Sequence, residues 1–147
     1  MKKYLDSSLP ARERAKDLLG RMSLDEKMGQ ITGFMPFPGE MEQLEKKHPH
    51  GVGAVSCLWM MGFECIEEAA GFQKNIQKKV MELSEHHIPA VFHLEGLSGA
   101  LLREAPNFPS GIGRGATWDP GLEYEIGRLI GREVAALGVT QVFAPVL

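Results

Sequence analysis

Three short apolar runs constrain what this chain can fold into. Residues 52–59, 90–94 and 139–147 are each expected to be a strand, and 52–59, β-prone with no polar alternation, one buried on both faces. Two segments of helical period separate them. Over residues 64–87, Ile66, Ala69, Ile76, Val80 and Leu83 fall on one face, and Lys74, Lys78, Lys79 and Glu82 lie largely away from it. Ile88-Pro89 ends that helix. The next opens at Asp119-Pro120, an N-cap followed by proline at the first helical position, and runs to Leu137 with Gly138 at its stop. The order β-α-β-α-β is most economically satisfied by parallel strands with helical crossovers, hence an α/β fold. The last apolar run has no helix after it, although a parallel strand needs cover on both faces. The expectation is therefore the N-terminal portion of a longer protein.

Residues 1–30 are expected to form a helical lead-in, and residues 31–147 the first β/α units of one domain. Ser8-Leu9-Pro10 opens a first helix whose apolar stripe is Ala11, Ala15, Leu18, Leu19 and Met22. Ser23-Leu24-Asp25-Glu26 has the form of a capping box, so a second short helix starts there. Residues 31–35 suggest a first short strand, stopped by Pro36 and Pro38. Residues 39–47 suggest a short charged helix, ended by His48-Pro49-His50-Gly51.

Apolar residues make up 44% of the chain and charged ones 24%, too many of the first for intrinsic disorder. Sixteen basic against nineteen acidic residues leave no basic footprint for nucleic acid. The longest apolar stretch falls well short of the ~20 residues of a membrane helix. Asp6, Ser7 and Ser8 interrupt the apolar stretch a signal peptide would need. A cytoplasmic protein with Cys57 and Cys65 reduced is the expectation.

Residues 92–99 follow the end of a strand, where ligands and catalytic groups gather in open α/β sheets and β/α barrels. Period two puts His93 and Glu95 on one face and Phe92 and Leu94 on the other. A carboxylate at Glu95 can accept two hydrogen bonds from vicinal sugar hydroxyls; it can equally cap a loop amide, and His93 can be a core residue. Gly96-Leu97-Ser98-Gly99-Ala100 is one residue from a nucleophile elbow, but Pro106 would stunt the helix an elbow requires. Gly111-Ile112-Gly113-Arg114-Gly115 lacks the preceding strand of a dinucleotide loop and suggests a flexible connection through residues 96–115. The pairs His48/His50 and His86/His87 have no cysteine or carboxylate at metal-ligand spacing, so turn and helix-end roles are expected, and no metal site. Met60-Met61 suggests core filling, and Gly127 and Gly131 a close helix contact.

Four blocks together resemble the N-terminal part of a family 3 glycoside hydrolase, of the β-glucosidase and β-xylosidase type. The first runs from Tyr4-Leu5-Asp6 through Pro10, Arg14 and Asp17-Leu18-Leu19 to Arg21-Met22-Ser23-Leu24-Asp25-Glu26-Lys27-Met28-Gly29-Gln30. The second is Ile88-Pro89-Ala90-Val91-Phe92 with Glu95-Gly96-Leu97-Ser98-Gly99. The third runs from Phe108-Pro109 to Ala116-Thr117-Trp118-Asp119-Pro120. The fourth joins Glu133, Ala136-Leu137-Gly138-Val139 and Phe143-Ala144-Pro145-Val146-Leu147.

That resemblance implies a partial (β/α)8 TIM-type barrel, N-terminal portion only. It implies cofactor-free hydrolysis of a β-linked sugar from a non-reducing end, with retention, by two carboxyl groups roughly 5–5.5 Å apart. The family's nucleophile lies in a Ser-Asp-Trp-like block, its acid/base further on, and neither block occurs here; nor does the Asp-Pro-Arg-Trp-Gly-Arg pattern. Glu95 alone matches a sugar-contacting position, the acidic residue that grips hydroxyls in the subsite of the reacting sugar. Ser98 stands where the family often has histidine. The expected partner is a small carbohydrate, and the chain alone is expected to be inactive and to self-associate through open barrel edges. Two other readings are a non-catalytic sugar-binding or assembly fragment, and a serine hydrolase using Ser98.

Overall fold

A computed structural model describes residues 2–37, 40–57 and 62–146. The Met60-Met61 pair, Pro38 and the end of the 52–59 run lie outside the described residues. Four strands, β1 (Gly33–Phe34), β2 (Ala54–Ser56), β3 (Val91–Leu94) and β4 (Gln141–Val142), form one sheet in the order β1-β2-β3-β4. Every pairing is parallel, with Phe34 beside Val55, Val55 beside Phe92, Ser56 beside His93, and His93 beside Gln141. Sequential strands are neighbours, so each crossover carries helix onto the sheet. These are α3 (Leu44–Lys47, preceded by a 3-10 turn over Met41–Gln43), α4 (Ile66–Leu83) and α6 (Pro120–Ala136). The expected α/β class is therefore observed, in an open sheet whose edges are β1 and β4.

The core lies on one face of that sheet. Phe34, Val55, Phe92 and Leu94 point to it and are buried with Leu44 of α3, Ala69, Ile76 and Val80 of α4, and Ile126, Ile130 and Val134 of α6. The other face carries Val91, His93 and Gln141. Val91 is 41% exposed, His93 half-buried and Gln141 exposed. Cover on both faces, which a parallel strand needs, is thus not observed at β3 and β4 among the described residues. The side chains of β3 alternate between a packed face and an open one, as in a half-solvated sheet, and both residues of β4 are exposed. The strands are also shorter than the apolar runs, because isolated backbone bonds replace the ladder at their ends. Val91 N–H donates to Gly53 O at 2.8 Å and Cys57 N–H to His93 O at 2.8 Å.

The lead-in comprises a 3-10 turn (Lys3–Leu5), α1 (Ala11–Arg21) and α2 (Leu24–Gln30). Asp17 joins the first two: its carboxylate accepts the Tyr4 N–H at 3.1 Å and a two-pronged contact from Arg21 at 2.9 and 3.0 Å. The arginine fork holds the Asp17 carboxyl below its ordinary range. The capping box is formed as expected, with Glu26 N–H on Ser23 Oγ and Ser23 N–H on Glu26 Oε2. The apolar stripe expected for α1 is not buried. Of its members Met22 alone enters the interior, and Leu19 stays 55% exposed. No residue of α1 is buried, so the stripe has no described partner to pack on.

His48 and His87 serve helix ends and packing, while the His86 ring, its side chain only 8% exposed, lies 3.9 Å from the Glu26 carboxylate. His48 caps α3 and sets its ring edge-on to Phe34, 5.6 Å between centroids. His87 adopts φ +52° after α4 and bonds the Met81 carbonyl through Nδ1 at 3.0 Å. The two cysteines differ sharply. Cys57 is fully buried and its thiol is pushed up to about 12 by burial, whereas Cys65, before α4, is only half-buried. Alkylation with iodoacetamide at pH 8 is expected to modify Cys65 and spare Cys57 until the chain is unfolded, because only the thiolate reacts. Equal labelling of both in the native state, read by peptide mass, would contradict this packing.

Candidate functional site at the carboxyl end of β3

The carboxyl end of β3 presents His93, Leu94 and Glu95 in succession. Leu94 is buried in the core, and His93 and Glu95 are half-buried. The His93 ring stacks on Phe143, 4.6 Å between centroids and 29° between planes. His93 is thus a lining residue of the open face, not a core residue. Phe143 N–H donates to Leu94 O at 3.0 Å, which extends the β3–β4 pairing one step past Val142. Continuing that register sets Glu95 beside Phe143. No hydrogen bond or ion pair to a described residue occupies the Glu95 carboxylate, so a loop-capping role is not observed.

Gly96 turns the chain away from the sheet. Its φ is +67°, and a Cβ there would collide with the Val142 side chain, so both backbone shape and space require glycine. The loop beyond it is anchored from inside. Ala100 and Leu102 are buried, and Phe108 N–H closes back on Ser98 O at 2.8 Å. Residues 111–115, expected as flexible connection, instead form a short helix, α5 (Gly111–Gly115). Arg114, on α5, is the residue the sequence reading missed. Its guanidinium donates to the carbonyls of Leu97 and Pro109, each at 2.8 Å, and to Glu123 at 2.7 Å. Only 12% of its side chain is exposed. The available signal was a lone cation inside a glycine-rich stretch, where a planar fork of donors can gather loop carbonyls.

Ser98 does not sit on a nucleophile elbow. No helix starts after it until Gly111, so the strand-turn-helix that exposes such a serine is missing. A groove of about 740 Å³ adjoins this loop, running from Gly96, Leu97 and Ser98 between α6 and the end of β4. Ile126, Gly127, Ile130, Gly131, Val142 and Pro145 line it, and Glu95 does not. Its polar lining includes Ser98, Arg114 and Glu123, and the last two are spent on each other at 2.7 Å. Gly127 and Gly131 were expected at a close helix contact, but no atom lies within 4 Å of a Cβ built on either.

Comparison with known proteins places this geometry. The model of the glycosyl hydrolase family 3 N-terminal domain matches residues 23–147. A protein of Formosa agariphila named as a beta-xylosidase is 27% identical over 153 residues, covering 98% of this chain and 20% of its own length. A solved structure from Erythrobacter marinus, described as a novel β-glucosidase, superposes with a TM-score of 0.83 at 26% identity. It too is matched over 98% of this chain and 20% of its own length, so this chain spans a fifth of both relatives. With the family model covering most of its residues, the chain belongs to the glycosyl hydrolase family 3 N-terminal domain family, and its open four-stranded sheet corresponds to the first part of that family's barrel.

Proposed function

We propose that this chain is the N-terminal portion of a retaining β-glycosidase that removes a terminal β-glucosyl or β-xylosyl unit, with Glu95 as a sugar-hydroxyl contact. The observation that carries the reading is the half-buried Glu95 carboxylate at the carboxyl end of a parallel strand, bonded to no described residue and set on the open face of the sheet. An ionised carboxylate offers acceptors to two neighbouring hydroxyls, and charge-assisted bonds of this kind are the stronger ones. Hydrolysis itself takes a separate pair of carboxyl groups flanking the scissile bond, one nucleophile and one acid/base. This reading assigns both to chain beyond Leu147. The apolar groove beside α6 and the unpaired edges β1 and β4 support the same view, since further β/α units would cover them. Those edges are also where copies of the chain alone would associate.

The test has two arms. Incubated with p-nitrophenyl β-D-glucopyranoside or β-D-xylopyranoside, the 147-residue chain is expected to release no nitrophenol above buffer. Titrated with glucose and xylose, it is expected to bind, and Glu95→Gln to weaken binding about 10- to 100-fold, the worth of one or two hydrogen bonds to a charged group. Turnover by the chain would overturn the assignment of the reacting acids to later segments. Unchanged affinity in Glu95→Gln would remove Glu95 from the site.

A further inference from the structure

We infer that Phe143 is the platform on which the sugar ring lies, with Glu95 holding its hydroxyl rim. The inference rests on the reading of Glu95 as a sugar contact and adds a second, apolar half to that site. Phe143 is 45% exposed and lies on the open face of the sheet. Phe143 is nonetheless held firmly. Its backbone is bonded to Leu94, and its ring is backed by His93 at 4.6 Å. The β3–β4 register brings it beside Glu95, so an apolar plate and an acceptor-only carboxylate share one edge of the sheet.

That pair matches a particular ligand chemistry. A pyranose in the β-gluco or β-xylo configuration carries its hydroxyls equatorially, around the rim, and presents axial C–H bonds on its faces. The C–H face suits the negative face of an aromatic ring, and two adjacent rim hydroxyls suit one carboxylate. An axial hydroxyl, as at C4 of galactose, interrupts one face and weakens the match. The structure thus assigns Phe143 as a positioning and specificity-determining residue for all-equatorial pyranosides. His93 keeps the plate in place from behind.

Saturation-transfer NMR on the 147-residue chain with methyl β-D-glucopyranoside and methyl β-D-galactopyranoside tests this. Irradiating the aromatic protons is expected to transfer most to the axial ring protons of the glucoside and less to the galactoside. Phe143→Leu keeps apolar bulk and should leave the urea midpoint close to wild type while weakening glucoside binding roughly 3- to 10-fold, the worth of one aromatic contact. Phe143→Tyr should retain both transfer and affinity. Binding that is lost in Glu95→Gln yet unchanged in Phe143→Leu would overturn the platform and leave the Glu95 reading standing. No transfer to either glycoside in the wild-type chain would overturn both.

Discussion

Gly53→Ala is expected to destabilise the chain by about 3 kcal/mol or more, at the upper end of what overpacking costs. The reason is a backbone approach with no slack. A Cβ on Gly53 would overlap the Gln30 carbonyl at the end of α2. Gly53 N–H meanwhile donates to two carbonyls of that same segment, Gly29 at 2.9 Å and Thr32 at 3.1 Å. The chain just before β2 is thus pinned against the exit of α2 by its own amide. Neither side can retreat without breaking those bonds, and the obstacle is main chain, which no rotamer change relieves. The cost here is spatial, since the obstacle alone excludes a side chain. Urea unfolding followed by circular dichroism would measure the change; a shift below about 1 kcal/mol would mean that α2 and β2 are not locked together.

Phe92→Ala is the second large effect, about 3–5 kcal/mol, from the transfer of a buried ring and the cavity it leaves. Phe92 has no exposed surface and sits beside Val55 in register, where both face the helices α4 and α6. Against the 5–15 kcal/mol typical of a domain, a loss of this size removes a large share of the stability. One residue further on, the expectation reverses. His93→Ala removes a half-buried ring from the open face and should cost no more than about 1 kcal/mol, within the range of an aromatic pair. The two variants compared by thermal melting report directly on whether the sheet is covered on one face or on both. Similar losses at 92 and 93 would contradict the one-sided core.

Much of this arrangement was legible in residue order. The separation of Phe92 and Leu94 from His93 and Glu95 follows from the two-residue period of a strand. The starts of α2 and α6 follow from caps whose hydrogen bonds are local, Glu26 to Ser23 and Leu122 N–H to Asp119. Local chemistry of this kind needs no knowledge of the rest of the fold. The features that escaped all depend on distant partners. Strand length depends on where a neighbouring strand offers carbonyls, so residues 139–147 shrink to Gln141–Val142 as regular strand. The burial of the α1 stripe depends on a surface to receive it. The contact of Gly53 with Gln30 depends on the crossover through β1 and α3, whose path periodicity does not describe. Arg114 was invisible because its three acceptors lie 17, 5 and 9 positions away, on carbonyls and a carboxylate with no common pattern. At the β3 end, the strand supplied Glu95 to inspection, and Phe143 became its neighbour only through the parallel register.

The Arg114 fork also has a mechanical meaning. Its nitrogens are fastened at one end to Leu97, just past β3, and at the other to Glu123, in the first turn of α6. Because the guanidinium is rigid and planar, pulling the Leu97 carbonyl outward draws on Glu123 through a strut only a few atoms long. The lip of the pocket and the start of a seventeen-residue helix are therefore yoked, and a push on either is felt by the other.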